Sequence, residues 1–329
     1  MNDSLLNVND LIIRFSTDSG TVHAVNGVSL DIRPGEVLGV VGESGSGKSV
    51  TAKAILNLLP RRSARIERGE ILFEGVDLLA LTDTELRRIR GRKISMIFQD
   101  PTSALNPVLT IGHQLDEVLK EHTEMSSVER RRRSIELLEM VEISSAADRL
   151  SQYPHEFSGG MRQRIMIAMA LACGPQLLIA DEPTTALDVT TQLQILDLLE
   201  TLRRELQMAI MMITHDVGVV ARMADRVAVM YAGTVLEMGD VETILEHPQH
   251  PYTEALTQAV PSIEKDRAHT LRTIPGRPPS MLQPLSRCPF FERCAYRSDE
   301  RCAREIPPLV EVAEGHLVAS FCHVRADVA

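Results

Sequence analysis

The sequence predicts an α/β fold in which helices are layered on a mixed β-sheet around a glycine-rich loop. Short apolar runs of the kind that form buried strands alternate with helical patterns from about residue 36 to residue 236. One of these strands leads into the glycine-rich loop and then into a helix. The 329 residues, 44% of them hydrophobic, are enough for a large core and for two domains.

The first forty residues alternate in the way that β-strands do. Antiparallel strands that lead into a glycine-rich loop indicate a mixed sheet. From about residue 100 to 165 the pattern is helical, with Ser127 as a candidate helix cap. A short helix is predicted at 84–90 and a longer one at 158–173. The predicted strands are 5–8, 11–15, 22–32, 36–41, 69–72, 93–98, 177–180, 209–213, 227–229 and 234–236.

The segment from Gly42 to Ser49 reads G-x-x-x-x-G-K-S, which is the pattern of a phosphate-binding loop. Glycines let backbone N–H groups point at an anion, and the following helix adds the partial positive charge of its N-terminus. Lys48 can reach the outer phosphates, and the Ser49 hydroxyl can hold Mg²⁺. The strand before the loop and the helix after it disfavour a glycine-rich turn without function.

Three further strand ends carry polar side chains. Asp181 and Glu182 end an apolar run, where the first can hold Mg²⁺ through water and the second can deprotonate an attacking water. Gln99 and His215 also follow apolar runs. Each of these two alone is more often structural, but near a phosphate loop Gln99 can contact Mg²⁺ and His215 the terminal phosphate.

Ser158, Gly159 and Gly160 begin a predicted helix and form a second candidate anion site. Two phosphate-binding helix ends are unusual for a monomer with one active site. The net charge of −10 argues against nucleic acid as the main partner, so the basic run from Arg130 to Arg133 is interpreted as a solvated helix face. We see no secretory signal and no apolar run long enough to span a bilayer, and therefore expect a soluble chain.

In this order the motifs resemble those of the nucleotide-binding subunit of ATP-binding cassette (ABC) transporters, over residues 5 to about 240. The resemblance implies a P-loop NTPase core with a mixed sheet, an antiparallel β subdomain and a helical subdomain at about 100–165. The family's signature motif corresponds to residues 158–163, in which Met161 stands where the family more often has Gln. The implied nucleotide-binding residues are Phe15 (adenine stacking), Gly42, Ser44, Gly45, Ser46, Gly47, Lys48, Ser49, Val50, Gln99, Asp181, Ser158, Gly159, Gly160, Gln163 and Asp188; the implied catalytic residues are Glu182, His215 and Gln99; and Ser49, Gln99 and Asp181 are the implied Mg²⁺ ligands.

The resemblance also accounts for the two anion sites. In this family two cassettes pair head to tail. Each ATP lies between the phosphate-binding loop of one chain (here Gly42 to Ser49) and the helix that begins with the signature motif of the other (here Ser158 to Gln163). ATP binding closes the pair and hydrolysis opens it. The expected partners are a second cassette, identical or homologous, two transmembrane permease subunits and an extracellular solute-binding protein, with no nucleic acid. The expected location is the cytoplasmic face of the inner membrane, as a peripheral protein.

The tail resembles that of the oligopeptide/dipeptide importers, in residues 250–256, 274–276 and 288–294. Composition shifts after about residue 245, and residues 261–329 contain many prolines and a cysteine cluster, so we place a boundary near residue 260, between a nucleotide-binding domain (1–260) and a small irregular metal-binding extension (261–329). Four of the five cysteines lie in this extension, which suggests metal rather than disulfides in a chain without an export signal. The candidate metal ligands are Cys288, Cys294, Cys302 and Cys322, with His323 as an alternative to the last, because Ser320 stands near its expected place.

The cysteines are separated by five, seven and nineteen residues and contain no C-x-x-C knuckle, which disfavours a zinc ribbon. The resemblance implies a four-iron four-sulfur cluster, with zinc and free thiols as the alternatives. Import of nickel, glutathione or an opine remains an alternative to peptide import. A soluble cassette ATPase acting on nucleic acid is disfavoured by the acidic balance. A cassette without hydrolysis is disfavoured because Lys48, Asp181, Glu182 and His215 are all present.

Overall fold

The computed structural model describes residues 4–100, 104–185, 187–259, 274–322 and 324. Its residues fall into two units. Unit 1 comprises Met1–Arg33, Val37–Leu79 and Thr214–Ala329, and unit 2 comprises Pro34–Glu36 and Ala80–Ile213. Both units are discontinuous in sequence, whereas the boundary predicted near residue 260 divides the chain at one point. That boundary stays a prediction.

The described residues of unit 1 form strands of two sheets, together with several helices. Its strands are β1 (Leu6–Thr17), β2 (Gly20–Ile32), β3 (Val37–Val41), β4 (Ala64–Phe73), β5 (Val76–Asp77), β9 (Arg226–Tyr231), β10 (Thr234–Asp240), β11 (Val310–Ala313) and β12 (His316–Val318), and its helices are α1 (Lys48–Ile55), α8 (Val217–Met223), α9 (Val241–Glu246) and α10 (Pro251–Gln258). In unit 2 the strands are β6 (Ile94–Ile97), β7 (Leu177–Asp181) and β8 (Ala209–Thr214), and the helices are α2 (Asp83–Ile89), α3 (Ile111–His122), α4 (Ser127–Met140), α5 (Ala146–Arg149), α6 (Gly159–Leu171) and α7 (Val189–Leu206).

The first sheet of unit 1 is antiparallel, in the order β2-β1-β4-β5. Two strands are predicted at 5–8 and 11–15, but the structure has one strand, β1. The strand contains a bulge at Asp10, whose φ of 47° is left-handed, and its register shifts between Val8 and Leu11. A bulge inserts an extra residue and interrupts the alternation of buried side chains, so one strand looks like two in the sequence.

The second sheet of unit 1 is mixed, as predicted. β3 pairs with β9 in parallel, while β10 pairs with β9 and with β12 in antiparallel fashion. The tail adds β11 and β12 to this sheet, and Glu237 and Met238 face Val318 and Leu317 in the pairing. The expectation of an irregular extension is thus wrong for this part of the tail, where two short strands extend the sheet.

In unit 2 the strands β6, β7 and β8 are parallel, with β7 in the middle. Every residue of β7 is buried, which explains its continuous apolar run. The helices at 111–171 confirm the predicted helical region. Helix α4 is capped by Ser126 rather than the predicted Ser127, through a capping box with Glu129. Within the described ranges, no helix has the length and apolar character needed to cross a membrane.

Candidate functional site

The phosphate loop follows β3 in unit 1, and its conformation requires glycine at two positions. Gly42 has a φ of 152°, and a Cβ there would lie 2.0 Å from the Met230 carbonyl oxygen. Gly47 has a φ of 101° and caps α1, and a Cβ there would lie 2.8 Å from the Ala24 carbonyl oxygen. Side chains at either position would collide with backbone, so the loop can close tightly only with glycine.

Lys48 is the first residue of α1, and its side chain is buried inside the loop. Its Nζ donates to the carbonyl oxygens of Gly42 and Glu43 at 2.7 and 3.0 Å, and it lies 3.4 Å from Ser46 Oγ. Ser44 and Gly45 are exposed at the tip of the loop. The structure thus combines an ammonium group, a helix N-terminus and an exposed loop tip, which is the arrangement that binds phosphate.

Ser49 and Val50 continue α1 and are half-buried. Phe15, the predicted adenine-stacking residue, is half-buried on β1 and faces Val22 and Ala64 in the neighbouring strands. His215 follows β8 and is exposed in unit 1. Three predicted elements, namely the aromatic residue, the loop and the histidine, therefore belong to the same unit.

The carboxylate pair lies at the end of β7 in unit 2. Asp181 is 3% exposed, whereas Glu182 is half-buried with a left-handed φ of 50°. Such a backbone is rare for a residue with a side chain and costs on the order of 1–3 kcal/mol, and it is frequent in active sites. The Glu182 N–H donates to the Ile213 carbonyl oxygen at 2.9 Å, which ties this residue to β8.

The structure brings Gln99 and Glu182 together from positions 83 residues apart. Glu182 Oε2 accepts hydrogen bonds from Gln99 Nε2 at 2.8 Å and from Thr185 Oγ1 at 2.9 Å. Both donors hold one carboxylate oxygen, so the carboxylate has a defined orientation. Thr185 was not predicted as part of the site, and its place in the turn after β7 is the only sequence signal for it.

The second candidate anion site is at the start of α6. Ser158 caps this helix by accepting from the Met161 N–H at 3.3 Å, and Ser158 and Gly159 are exposed. A Cβ on Gly160 would lie 2.7 Å from Thr191 Cγ2, so the glycine permits close approach of α6 and α7. Gln163, on the same helix, is 2% exposed, and its contact with nucleotide stays a prediction.

Asp188 begins α7 as its N-cap. Its Oδ1 accepts from the Thr191 N–H at 3.0 Å, and its Oδ2 accepts from Thr191 Oγ1 at 2.7 Å. The hydrogen bonds from Thr191 lower the pKa of Asp188, so the carboxylate is ionised at neutral pH. The local geometry gives Asp188 a helix-capping role in addition to the predicted one.

The four tail cysteines are buried and line one small cavity of about 10 Å³, which is about the space of one water molecule. Cys302 Sγ and Cys322 Sγ are 3.3 Å apart. Burial raises the pKa of Cys288 to about 11 and that of Cys302 to about 12. Among the described residues, no group of three or more His, Cys, Asp or Glu side chains is arranged to hold a metal ion. His323 lies outside the described residues, as does Ala186, two residues before Asp188.

Sequence reasoning missed the partners of Glu43, the second residue of the phosphate loop. The Glu43 N–H donates to Tyr252 Oη at 3.0 Å, and Glu43 Oε2 accepts from Arg293 Nη1 at 2.8 Å. Arg293 lies in the cysteine-bearing tail, 250 residues away in sequence. No local pattern could have revealed these contacts, because they depend on how the tail folds against the phosphate loop within unit 1.

Comparisons with known proteins agree with the motifs. Residues 25–185 match the family model described as "ABC transporter", and residues 236–302 match "Oligopeptide/dipeptide transporter, C-terminal region". The oligopeptide transport ATP-binding protein OppD of Bacillus subtilis is 50% identical over 96% of this chain and 88% of its own length. The dipeptide transport ATP-binding protein DppD of the same species is 51% identical, over 96% of this chain and 94% of its own.

OppD of Escherichia coli is 51% identical over 97% of this chain and 93% of its own length. Among solved structures, the ATP-binding cassette MJ0796 is similar, in a dimeric post-hydrolysis state bound to ADP and Pi. It has a TM-score of 0.64 and 31% identity, and the match covers 72% of this chain and 98% of that one. These matches span both the core and the tail of the chain.

Proposed function

Because this chain belongs to the ATP-binding subunits of ABC transporters, of the oligopeptide/dipeptide importer type, we propose that it drives import by closing with a second cassette around ATP. The chain is the motor ATPase of a peptide or dipeptide importer, and it hydrolyses ATP to drive transport. The observation that carries the proposal is the phosphate loop, in which the buried Lys48 at the start of α1 donates to the Gly42 carbonyl oxygen.

We assign the chemistry of hydrolysis to individual residues. Lys48 and the N-terminus of α1 bind the phosphates, and Glu182 takes a proton from the attacking water. Gln99 supports this assignment because it donates to one oxygen of Glu182 and thereby orients the carboxylate. From the family resemblance we also propose that Ser49, Asp181 and Gln99 are the Mg²⁺ ligands. When bound, Mg²⁺ neutralises the charge that develops on the phosphate oxygens.

Head-to-tail pairing gives a role to the exposed helix end of Ser158 and Gly159. In the paired state this end would complete the nucleotide site of the partner cassette, and the exposed Asp188 would lie at the same interface. The similar MJ0796 cassette is a dimer with ADP and Pi, which supports pairing. Bound nucleotide supplies the contacts that favour the closed state, and hydrolysis removes them.

The cassette pair works with transmembrane permeases, and we infer that the chain docks on them through the helical region at about 100–165. We place it on the cytoplasmic face of the inner membrane, as a peripheral subunit. A solute-binding protein outside the membrane would deliver the peptide. Nickel, glutathione and opines are disfavoured as cargo because relatives named for oligopeptide and dipeptide transport match nearly the whole chain at about half identity.

Transport by the assembled complex tests this function. We expect ATP hydrolysis by the chain, together with its permeases in vesicles, to rise when a peptide-loaded binding protein is added. Labelled di- or oligopeptide should accumulate only with ATP present, and nickel, glutathione and opine serve as comparison cargoes. Uptake of one of these without uptake of any peptide would contradict the proposal. ATP-dependent activity on nucleic acid without permeases would indicate a soluble cassette ATPase instead.

We also propose that Cys288, Cys294, Cys302 and Cys322 hold a four-iron four-sulfur cluster that links parts of the tail. Four buried cysteines around one cavity form the donor set that such clusters use. The spacing of 3.3 Å between two sulfur atoms and the small cavity mean that the thiols must separate and lose their protons on binding. The cluster would then stabilise the fold of the tail by linking its four cysteines.

Metal analysis of the full chain tests the cluster. Protein purified without oxygen should contain about four irons per chain, with matching sulfide and a broad visible absorption. The variant Cys302→Ser should lose most of this iron, whereas Cys173→Ser, which changes the cysteine outside the tail, should keep it. One zinc per chain without iron would favour the zinc alternative, and the absence of both would favour free thiols.

A further inference from the structure

The cysteine-bearing tail contacts the phosphate loop directly in unit 1. The Met281 carbonyl oxygen accepts from the His23 N–H at 2.7 Å, which fixes the tail against β2. Pro278, Pro279 and Met281 line a cavity of about 20 Å³ together with loop residues 43–46. The loop is therefore covered on one side by a segment that lies more than 230 residues later in the chain.

Arg293 makes several of these contacts. Its side chain is 5% exposed, and its guanidinium donates to four groups. Nη1 donates to Glu43 Oε2 at 2.8 Å and to Tyr231 Oη at 3.1 Å, while Nε and Nη2 donate to the carbonyl oxygens of Pro275 and Ile274 at 2.8 and 3.3 Å. Only the planar fork of arginine can serve so many acceptors at once.

Glu43 receives this contact and is also fixed through its backbone. Its N–H donates to Tyr252 Oη, and its carbonyl oxygen accepts from Lys48 Nζ at 3.0 Å and from the Ser46 N–H at 3.2 Å. One residue thus connects the tail arginine to the lysine of the loop. A shift of Glu43 would move a hydrogen-bond partner of Lys48.

Aromatic packing makes this arrangement rigid. Tyr231 and Tyr252 are each at most 1% exposed, and their ring centroids are 4.7 Å apart. Phe290 meets both rings, edge-on to Tyr231 at 5.5 Å and tilted to Tyr252 at 5.3 Å. Because Phe290 and Arg293 belong to the same stretch of tail as Cys288 and Cys294, the fold of that stretch determines where the guanidinium lies.

We propose that Arg293 is a positioning residue for the phosphate loop, and that it holds Glu43 in the conformation in which the loop binds nucleotide. The tail thereby contributes to nucleotide affinity without touching the nucleotide. This inference rests on the proposed nucleotide site at Gly42 to Ser49. A pre-ordered loop strengthens the binding of ATP and ADP equally. Loss of this pre-ordering therefore raises KM for ATP and leaves kcat nearly unchanged.

Substitutions at both ends of the ion pair test the proposal in the full chain. Arg293→Lys keeps the charge but loses the fork, and Glu43→Gln leaves the other contacts of Arg293 in place. For each we expect ATP and ADP to bind about tenfold more weakly by titration calorimetry, a loss of about 1.4 kcal/mol. In the assembled transporter, KM for ATP should rise by a similar factor while kcat changes less than about twofold.

Arg287→Lys is the matched control. Arg287 also lies in the tail and pairs with Glu292, but that ion pair is exposed and does not involve the loop. We expect wild-type affinity for this variant. If Arg293→Lys does not fold, Glu43→Gln alone decides the question, because the tail keeps its own contacts in that variant.

The double variant separates positioning from general stability. If Arg293 acts through Glu43, then Arg293→Lys in the Glu43→Gln background should weaken nucleotide binding no further. Additive losses, or wild-type affinity with only a lower melting temperature, would overturn the proposal. Failure of the wild-type chain to bind ATP would instead overturn the proposed function.

Discussion

At the scale of single residues, hydrogen bonds fix the orientation of the side chains at the candidate site. Glu182 illustrates this best, since its backbone is left-handed and its carboxylate is fixed by Gln99 and Thr185. The sequence predicts Gln99 and Glu182 as functional because each follows an apolar strand. It does not predict their hydrogen bond, which depends on the parallel pairing of β6 with β7.

Replacement of the glutamate by its amide tests the residue's role. Glu182→Gln keeps the shape and can still accept from Gln99, but it cannot take a proton from water. We expect steady-state hydrolysis in the assembled transporter to fall by about 10²–10⁴-fold, with ATP binding retained. Phosphate release and nucleotide titration would measure the two effects. Glu205→Gln, at an exposed position on α7, should be neutral; normal turnover by Glu182→Gln would exclude it as the base.

At the scale of elements, local chemistry decides what the sequence can predict. The phosphate loop and the strands β3, β7 and β8 are predicted because a glycine pattern or an apolar run marks each of them. Strands β11 and β12 are missed because they are short, follow prolines and depend on pairing with β10, about 80 residues earlier. The contact between Arg293 and Glu43 is missed for the same reason: its partners meet only after the tail has folded.

The approach of α6 to α7 gives a prediction at this scale. Gly160→Ala would place a Cβ 2.7 Å from Thr191 Cγ2, so the helices must separate slightly. We expect a loss of about 1–3 kcal/mol in the free energy of unfolding, as for other overpacked contacts. Adding Thr191→Ser removes the methyl group, keeps the hydroxyl that bonds Asp188, and should restore most of the loss.

Chemical unfolding of the single and double variants would measure this effect. Gly159→Ala is the control, because its nearest neighbour would be Leu187 Cδ2 at an ordinary 3.9 Å. If Thr191→Ser did not rescue Gly160→Ala, the close approach of the two helices would not be the reason for glycine at this position.

At the scale of the whole molecule, the chain is expected to be one half of an enzyme. Its phosphate loop and its exposed helix end at Ser158 are two candidate anion sites, but the chain has one candidate catalytic base, Glu182. This arrangement is explained if the two anion sites serve two different nucleotides in a pair. The pattern of apolar runs predicts the fold class, whereas the pairing of two chains is implied only by the family resemblance.

Nucleotide-dependent pairing is therefore a prediction for the whole chain. In Glu182→Gln, where ATP persists, we expect light scattering to show a shift from monomer to dimer on addition of ATP and Mg²⁺. ADP should not produce this shift, because the contact that closes the pair requires the terminal phosphate. Ser158→Arg, which fills the exposed helix end, should prevent dimerisation but preserve ATP binding. A monomer under all conditions would contradict head-to-tail closure.

The pairing of β12 with β10 has a consequence for the synthesis of the protein. The growing chain emerges from the ribosome with its N-terminus first, and domains fold as their residues emerge. Strand β10 stays at an open sheet edge until residues 316–318 leave the ribosome, and open edges invite pairing with other chains. Translation that stops after residue 259 would yield every ATP-binding motif but an unfinished sheet, so premature termination should give aggregates rather than active fragments.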